Sequence, residues 1–130
     1  MILFIIAGPW FAKNTVLLVI ELAAIALGAW AVIHMIKHSK FRARPDPAEN
    51  ARLLDSGPYK YIRNPMYSAV ILGFTALLLD SFTWVRFTIY ILEIIVLLKK
   101  ISFEETVLPQ KFPAYATYKS RTRRLIPFIY

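Results

Sequence analysis

The sequence predicts an all-α integral membrane protein with one spanning helix, a helical hairpin and a C-terminal helical tail on the cytoplasmic side. Hydrophobic residues make up 58% of the 130-residue chain, above the ~45–50% of ordinary soluble domains, and they are gathered into long runs. Fourteen of the sixteen lysines and arginines fall in residues 37–63 and 99–124. Basic residues that bracket apolar runs are typical of membrane topology signals.

Composition also excludes several classes of protein. The length favours one domain, and the absence of cysteine excludes a disulfide framework, a thiolate nucleophile and a cysteine-ligated zinc site. A net charge of +8 is compatible with nucleic-acid binding. However, the aromatic residues lie mainly in or beside the apolar runs rather than among the basic residues, so we expect no nucleic-acid partner.

The N-terminal part, residues 1–36, contains the predicted spanning helix. Residues 1–12 are apolar but too short to span, and Gly8-Pro9 interrupts them, so a partial or re-entrant helix is expected there. Residues 15–36 give 22 mostly apolar positions, about 33 Å of helix. Asn14 or Thr15 can cap its start.

A polar connector, residues 37–64, follows. Its Arg-Pro-Asp-Pro stretch at 44–47 blocks regular helix through the prolines, and residues 48–54 allow a short amphipathic turn at the membrane surface. Ser56-Gly57-Pro58 is a turn signal.

The third part, residues 65–105, predicts a tight helical hairpin. Pro65 suits the first position of a helix, and the run from Met66 to Leu79 is about 21 Å long. Asp80-Ser81 marks the turn, and a longer helix from about Phe82 to Glu105 follows. Both ends of the hairpin then return to the face that carries the connector, and the excess of basic residues makes that face cytoplasmic.

Two polar clusters should therefore meet at one face. Glu104 and Glu105 follow an apolar run, and adjacent carboxylates on a helix point about 100° apart. One of them can accept hydrogen bonds from a ligand while the other pairs with Arg63 or the basic tail. The plainer interpretation, a solvated helix end with Lys100–Glu104 as a simple i,i+4 pair, stays open.

The Asn64-Pro65 junction and the tail, residues 106–130, offer further ligand contacts. Asn64 can cap the helix that starts at Pro65, whose free N–H groups suit an anion. Phe112, Tyr115 and Tyr118 recur at helical spacing, and aromatic rings can hold an adenine or a sulfonium. An interfacial amphipathic helix is the alternative for this tail.

Two other polar features have simpler explanations. Glu21, inside the first helix, should face another helix or a polar cavity. His34 and His38 are four residues apart, but nearby residues complete no ligand set, so we expect no metal site and interpret the pair as interfacial.

Taken in order, these residues resemble the membrane-embedded isoprenylcysteine carboxyl methyltransferase and phospholipid methyltransferase family. The match covers about residues 50–129. Asn64 stands where histidine is usual in the family, and Lys100 where arginine is frequent. The residues that carry the resemblance are Gly57, Tyr59, Arg63, Pro65, Tyr67, Lys100, Glu104, Glu105, Leu108, Phe112, Tyr115, Tyr118, Arg124, Ile126 and Pro127.

The resemblance implies S-adenosylmethionine as methyl donor and a lipid-like acceptor that carries a carboxylate or an amine. The acceptor would enter the site sideways from the bilayer of membrane lipids. It implies an active site on the cytoplasmic side, and we expect a bacterial inner membrane. Lys100, with Glu105 or Arg121, would orient the acceptor. The cofactor residues implied are Tyr59, Arg63, Asn64, Tyr67, Glu104, Tyr115 and Tyr118.

Two other functions remain compatible with the sequence. One is a sterol-type membrane reductase that uses NADPH, although no additional basic pocket for a 2′-phosphate is evident. The other is a non-catalytic membrane assembly protein, which remains compatible because Asn64 and Lys100 depart from the usual family residues. The sequence does not specify an oligomeric state.

Overall fold

The computed structural model describes residues 8–38, 53–127 and 129–130. In these ranges the chain forms four α-helices: α1 (Thr15–His38), α2 (Pro65–Asp80), α3 (Trp84–Lys111) and α4 (Tyr115–Arg121). A 3₁₀ turn, Gly57–Lys60, precedes α2. The described residues include no β-strand beyond one isolated bridge, so the all-α prediction is confirmed. The Arg-Pro-Asp-Pro stretch and most of residues 48–54 lie outside the described residues.

Helix α1 is, among the described residues, the one helix both long and apolar enough to cross a membrane. The Asn14 side chain caps it as predicted, since Oδ1 accepts from the Val16 N–H at 2.9 Å. Lys37 and His38 occupy its last turn, where basic side chains complement the negative end of the helix dipole. Before it, residues 8–14 are not helical, and residues 1–7 lie outside the described part of the chain.

Helix α2 packs against α1 through small side chains. A Cβ placed on Gly28 would lie 3.3 Å from the Ala69 Cβ, and one on Gly73 would lie 3.6 Å from the Ala24 Cβ. Ala31 is fully buried. Small residues let helix backbones approach closely, which is how helices gain packing energy inside a membrane.

The hairpin of α2 and α3 forms, but it is tight only near its turn. Thr83 caps α3 by accepting from the Arg86 N–H at 3.2 Å, and Leu77 and Leu78 pack against the start of α3. Farther along, a cavity of about 460 Å³ separates the two helices. The bulky facing side chains of α3 explain this gap, because they cannot approach α2 as the small residues of α1 do.

Helix α3 continues past the predicted end at Glu105 as far as Lys111, with Pro109 inside it. Pro109 lacks the N–H that would bond to the Glu105 carbonyl four residues earlier. One lost hydrogen bond does not stop the helix here. Glu104 and Glu105 therefore lie within a regular helix and have fixed, different directions.

A buried arginine organises the end of the bundle opposite the connector. The Arg86 side chain is fully buried; it donates to the Pro9 carbonyl at 2.8 Å and to the Ser81 hydroxyl. The Asn14 N–H donates to Asp80 at 2.8 Å. These contacts fasten residues before α1 to the hairpin turn.

At the other end, the tail folds back onto the connector. The Arg63 N–H donates to the Arg123 carbonyl at 2.7 Å, and the Arg123 N–H donates to the Tyr61 carbonyl at 3.1 Å. The Tyr118 hydroxyl donates to the Tyr59 carbonyl at 2.8 Å. The end of the connector, the start of α2, the end of α3 and the tail thus meet in one place.

Candidate active site

Glu105 lies at the centre of a buried ionic cluster that we call the tail clamp (Arg63, Glu105, Arg124). Arg63 Nε donates to Glu105 Oε1 at 3.0 Å, and Arg124 donates to Oε1 at 3.3 Å and to Oε2 at 2.7 Å. Lys119 Nζ adds a contact of 3.6 Å to Oε2. The Glu105 side chain is only 5% exposed, so both oxygens are committed to basic groups of the protein.

Arg63 also holds the tail directly. Its second donor group contacts the Lys119 carbonyl at 3.1 Å and the Thr122 carbonyl at 2.7 Å. An arginine fork in this position links connector, α3 and tail with planar, charge-assisted bonds. Thr122, which is 1% exposed, was not identified from the sequence, because its role depends on where the tail turns back.

The clamp sets the protonation of its carboxylate, which lies beyond the apolar part of α3. Burial raises the pKa of Glu105, but hydrogen bonds from Arg124 and Arg63 outweigh it, so the net pKa is below the usual 4.5. The same bond raises the pKa of Arg124. Glu105 is therefore a carboxylate at neutral pH and a weak proton acceptor.

Glu104, one residue earlier, belongs to a second group that we call the open cluster (Tyr67, Lys100, Glu104). The Tyr67 hydroxyl donates to Glu104 Oε1 at 3.0 Å, and Lys100 Nζ lies 5.3 Å from the centre of the Tyr67 ring. Within the described residues, Glu104 Oε2 has no hydrogen-bond partner. This carboxylate oxygen is available to a ligand.

Two adjoining cavities open beside these clusters, with volumes of about 140 Å³ and 430 Å³. Glu105, Tyr115 and Tyr118 line the smaller cavity, and Tyr67 and Lys111 line the larger one. Their combined size suits a small-molecule ligand. The side chains that line both cavities are Met35, Tyr59, Arg63, Asn64, Glu104 and Leu108.

The predicted capping role of Asn64 is wrong. Asn64 occupies the N-cap position of α2, but its side chain makes no capping hydrogen bond. The amide Nδ2 donates instead to the Arg124 carbonyl at 3.2 Å, which fastens the tail. The sequence could not reveal this competition, because the carbonyl that wins it lies sixty residues away.

The structure brings nine of the ten predicted site residues to these clusters and cavities and leaves one outside. Tyr115 and Tyr118 are buried with ring centres 5.9 Å apart, in the wall of the smaller cavity. Lys100 stands at the open cluster with an exposed side chain. Arg121 lines neither cavity and forms an exposed ion pair with Asp55.

The remaining polar residues singled out from the sequence lie elsewhere. Glu21 is 4% exposed, accepts from the Ala12 N–H at 2.9 Å and lines a cavity between α1 and α2, as predicted. His34 and His38 stack with ring centres 4.1 Å apart, and His34 hydrogen-bonds Ser56 at 2.9 Å. These contacts tie the end of α1 to the connector.

A comparison with protein-family models matches residues 16–114 to the phospholipid methyltransferase family. No curated protein and no solved structure matches the chain significantly. The family match includes α1, both hairpin helices, Arg63, the open cluster and Glu105, and therefore most of the geometry described above. The chain belongs to the phospholipid methyltransferase family, a family of membrane methyltransferases that act on lipids.

Proposed function

We propose that the protein transfers a methyl group from S-adenosylmethionine to a carboxylate or an amine of a lipid-like acceptor at the cytoplasmic membrane face. One observation carries this proposal. Of two adjacent glutamates, Glu105 is fully engaged by basic groups, whereas Glu104 lines the cavity and its Oε2 has no hydrogen-bond partner within the described residues. A purely structural helix end gives no reason for this division.

The residues around the two cavities fit S-adenosylmethionine. Its ribose hydroxyls and amino group are hydrogen-bond donors that match the Glu104 Oε2 acceptor at the cavity wall. The rings of Tyr59, Tyr115 and Tyr118 offer aromatic faces to its adenine and its sulfonium. Arg63 and Asn64 line both cavities while they hold the tail, so we assign them to shaping the cofactor pocket.

When bound, S-adenosylmethionine would supply a methyl group on a positively charged sulfur; displacement by the acceptor would break the S–C bond, form an O–C or N–C bond and leave a neutral thioether. Positioning dominates the rate of such a step. Lys100, exposed beside Tyr67, is placed to attract a carboxylate or a phosphate of the acceptor. In this assignment Glu105 acts on the site through Arg63 and Arg124, and Arg121 has no contact with the acceptor.

The protonation of the acceptor separates the two possible chemistries. A carboxylate attacks without losing a proton. An amine must first be neutral, and a nearby carboxylate can take its proton. Glu104 is better suited than Glu105, because basic partners hold Glu105 in its charged form.

The proposed orientation follows the charges. The end of α1, the described end of the connector, the end of α3 and the tail meet at the site. Fourteen of the sixteen basic residues fall in residues 37–63 and 99–124, which run through these segments. Basic residues are concentrated in cytoplasmic segments, so we place the site at the cytoplasmic face, in a bacterial inner membrane.

Calorimetric titration of the detergent-purified protein with S-adenosylhomocysteine, and separately with NADPH, tests this proposal. We expect the protein to bind S-adenosylhomocysteine. Glu104→Ala should lower this affinity at least about tenfold, since hydrogen bonds to a charged group contribute about 1.5–3 kcal/mol. Thr106→Ala is the matched control, because its exposed side chain bonds only within α3. Binding of NADPH alone would favour a reductase, and binding of neither would favour a non-catalytic role.

A further inference from the structure

We propose that the groove between α1 and α2 holds one hydrocarbon chain of the acceptor lipid, and that Trp10 and Phe11 limit the length of the chain it accepts. The inference rests on the proposed function and specifies the substrate of the same site. It starts from an apolar cavity that the methyl-transfer chemistry does not use.

The α1–α2 groove has a volume of about 490 Å³. Its lining runs from Met66 and Tyr67, at the site end of α2, to Leu77, Trp10 and Phe11 near the opposite end. The ten-residue advance from Tyr67 to Leu77 corresponds to about 15 Å of helix. The groove therefore extends along about 15 Å of α2, which is long enough for a stretch of hydrocarbon chain.

The groove is continuous with the candidate site. Met66 and Tyr67 line both the groove and the larger of the two site cavities. A chain lying in the groove would bring its polar end to Tyr67, beside Glu104 and Lys100. This is where an acceptor group must be placed for methyl transfer.

The residues of the groove suit hydrocarbon. Ala24, Gly28, Ala69 and Gly73, the small residues through which α1 and α2 pack closely, are among its lining residues, so no bulky side chain projects into the groove at that contact. The one carboxylate in the lining, Glu21, is 4% exposed and accepts a hydrogen bond from the Ala12 N–H, so its charge is largely withdrawn from the groove.

The cavity between α2 and α3 provides a contrast. It has a similar volume, about 460 Å³, and Tyr67 also lines it. Among the described residues, each of the two cavities has one carboxylate in its lining, Glu21 or Glu93. In that part of the chain the α2–α3 cavity shares only Tyr67 with the larger site cavity, whereas the α1–α2 groove shares Met66 and Tyr67 with it. Of the two grooves that reach Tyr67, the one between α1 and α2 is the better site for a chain.

Fit, rather than removal from water, must select the chain. A lipid chain leaves a bilayer that is as apolar as the groove, so its transfer has little hydrophobic driving force. Overfilling such a space is unfavourable. Trp10 and Phe11 stand at the far end, and a chain that reaches them can extend no farther without displacing them.

Photo-crosslinking in phosphatidylcholine vesicles tests the proposal on the full chain. Two probes carry a diazirine midway along one chain, a phosphatidylethanolamine with an amine and a fatty acid with a carboxylate. We expect labelling of Ile25 and Val32, which face the α1–α2 groove, and loss of this labelling with excess unlabelled probe lipid. The head group that competes better identifies the acceptor group.

Three variants make the test specific. Ile25→Phe narrows the groove and should weaken competition about tenfold, the effect expected of overpacking. Val96→Phe makes a similar change in the α2–α3 cavity and should have no effect. Phe11→Ala opens the far end of the groove. Lipids with longer chains should therefore reduce the labelling of this variant more effectively than they reduce the labelling of the wild-type protein.

Labelling that excess lipid does not reduce would indicate bulk lipid and overturn the proposal, as would reducible labelling of Leu92 and Val96 on α3. Binding of S-adenosylhomocysteine is measured in the same preparations. If wild-type protein fails to bind it but shows reducible labelling of α1, the proposed function fails and chain binding is supported.

Discussion

The tail clamp and the open cluster lie one residue apart on α3, and their environments are opposite. Glu105 is 5% exposed, and basic groups contact both of its oxygens. Glu104 is partly exposed and accepts one hydrogen bond from Tyr67, with its second oxygen at the cavity. The 100° between successive helical positions is enough to separate a structural carboxylate from one available to ligands.

This contrast indicates how a small membrane protein can build a polar site. The clamp fixes connector, α3 and tail to each other, and the cavity walls follow from that arrangement. The open cluster then presents Glu104 Oε2, which no hydrogen bond from the described residues occupies. The following predictions separate these two roles.

The largest effect should come from breaking the clamp. We expect Arg63→Ala to destabilise the protein by about 3–5 kcal/mol, because it removes one partner of a buried ion pair. Unfolding in detergent micelles measures the change, and faster tryptic cleavage of the tail should accompany it. Arg123→Ala is the control, since that side chain is exposed; equal destabilisation by both variants would contradict the role of the clamp.

The next effect concerns turnover rather than stability. Lys100→Ala should lower tritium transfer from labelled S-adenosylmethionine into extracted lipid by about tenfold or more, since a charge-assisted contact to the acceptor contributes about 1.5–3 kcal/mol. The affinity for S-adenosylhomocysteine should be unchanged. A parallel loss of cofactor affinity would place Lys100 at the cofactor instead.

Acid should weaken the clamp selectively. Because the pKa of Glu105 is lowered in the folded protein, its contribution is present above its usual value of 4.5 and is lost as pH falls through the lowered value. Unfolding midpoints measured between about pH 3 and 6 should decline toward acid. Glu105→Gln should flatten the decline; an unchanged slope would assign acid sensitivity to other groups.

The smallest effect should come from the exposed pair Arg121–Asp55, whose side chains are 57% and 49% exposed. Asp55→Asn should change stability by less than about 1 kcal/mol, as is typical of surface ion pairs. Activity should also be retained, because neither residue lines the cavities. A loss of cofactor binding in this variant would show that the Arg121–Asp55 pair contributes to the cofactor site.

The sequence was sufficient for much of the fold because the strongest signals are local. A 22-residue apolar run ending in basic residues, Pro65 at a helix start and Asp80-Ser81 at a turn each have one straightforward interpretation in a membrane. The pairing of one glutamate with Arg63 was also foreseen as a possibility.

What the sequence could not provide depends on contacts between distant residues. The direction of each glutamate depends on how the tail packs, and the Asn64 amide is drawn away from α2 by the Arg124 carbonyl. The gap between α2 and α3 arises because the small residues of α2 match those of α1. Helical periodicity shows that α2 has a face of small residues, but it does not specify whether that face packs against α1 or α3.

A paired comparison of Glu104→Gln and Glu105→Gln tests the division between the two clusters most directly, with S-adenosylhomocysteine affinity and unfolding midpoint measured on the same samples. Both variants remove one negative charge and preserve side-chain shape. We predict that Glu104→Gln loses affinity and keeps its unfolding midpoint, whereas Glu105→Gln unfolds markedly earlier. Unchanged affinity in Glu104→Gln, or equal destabilisation by both substitutions, would contradict this account.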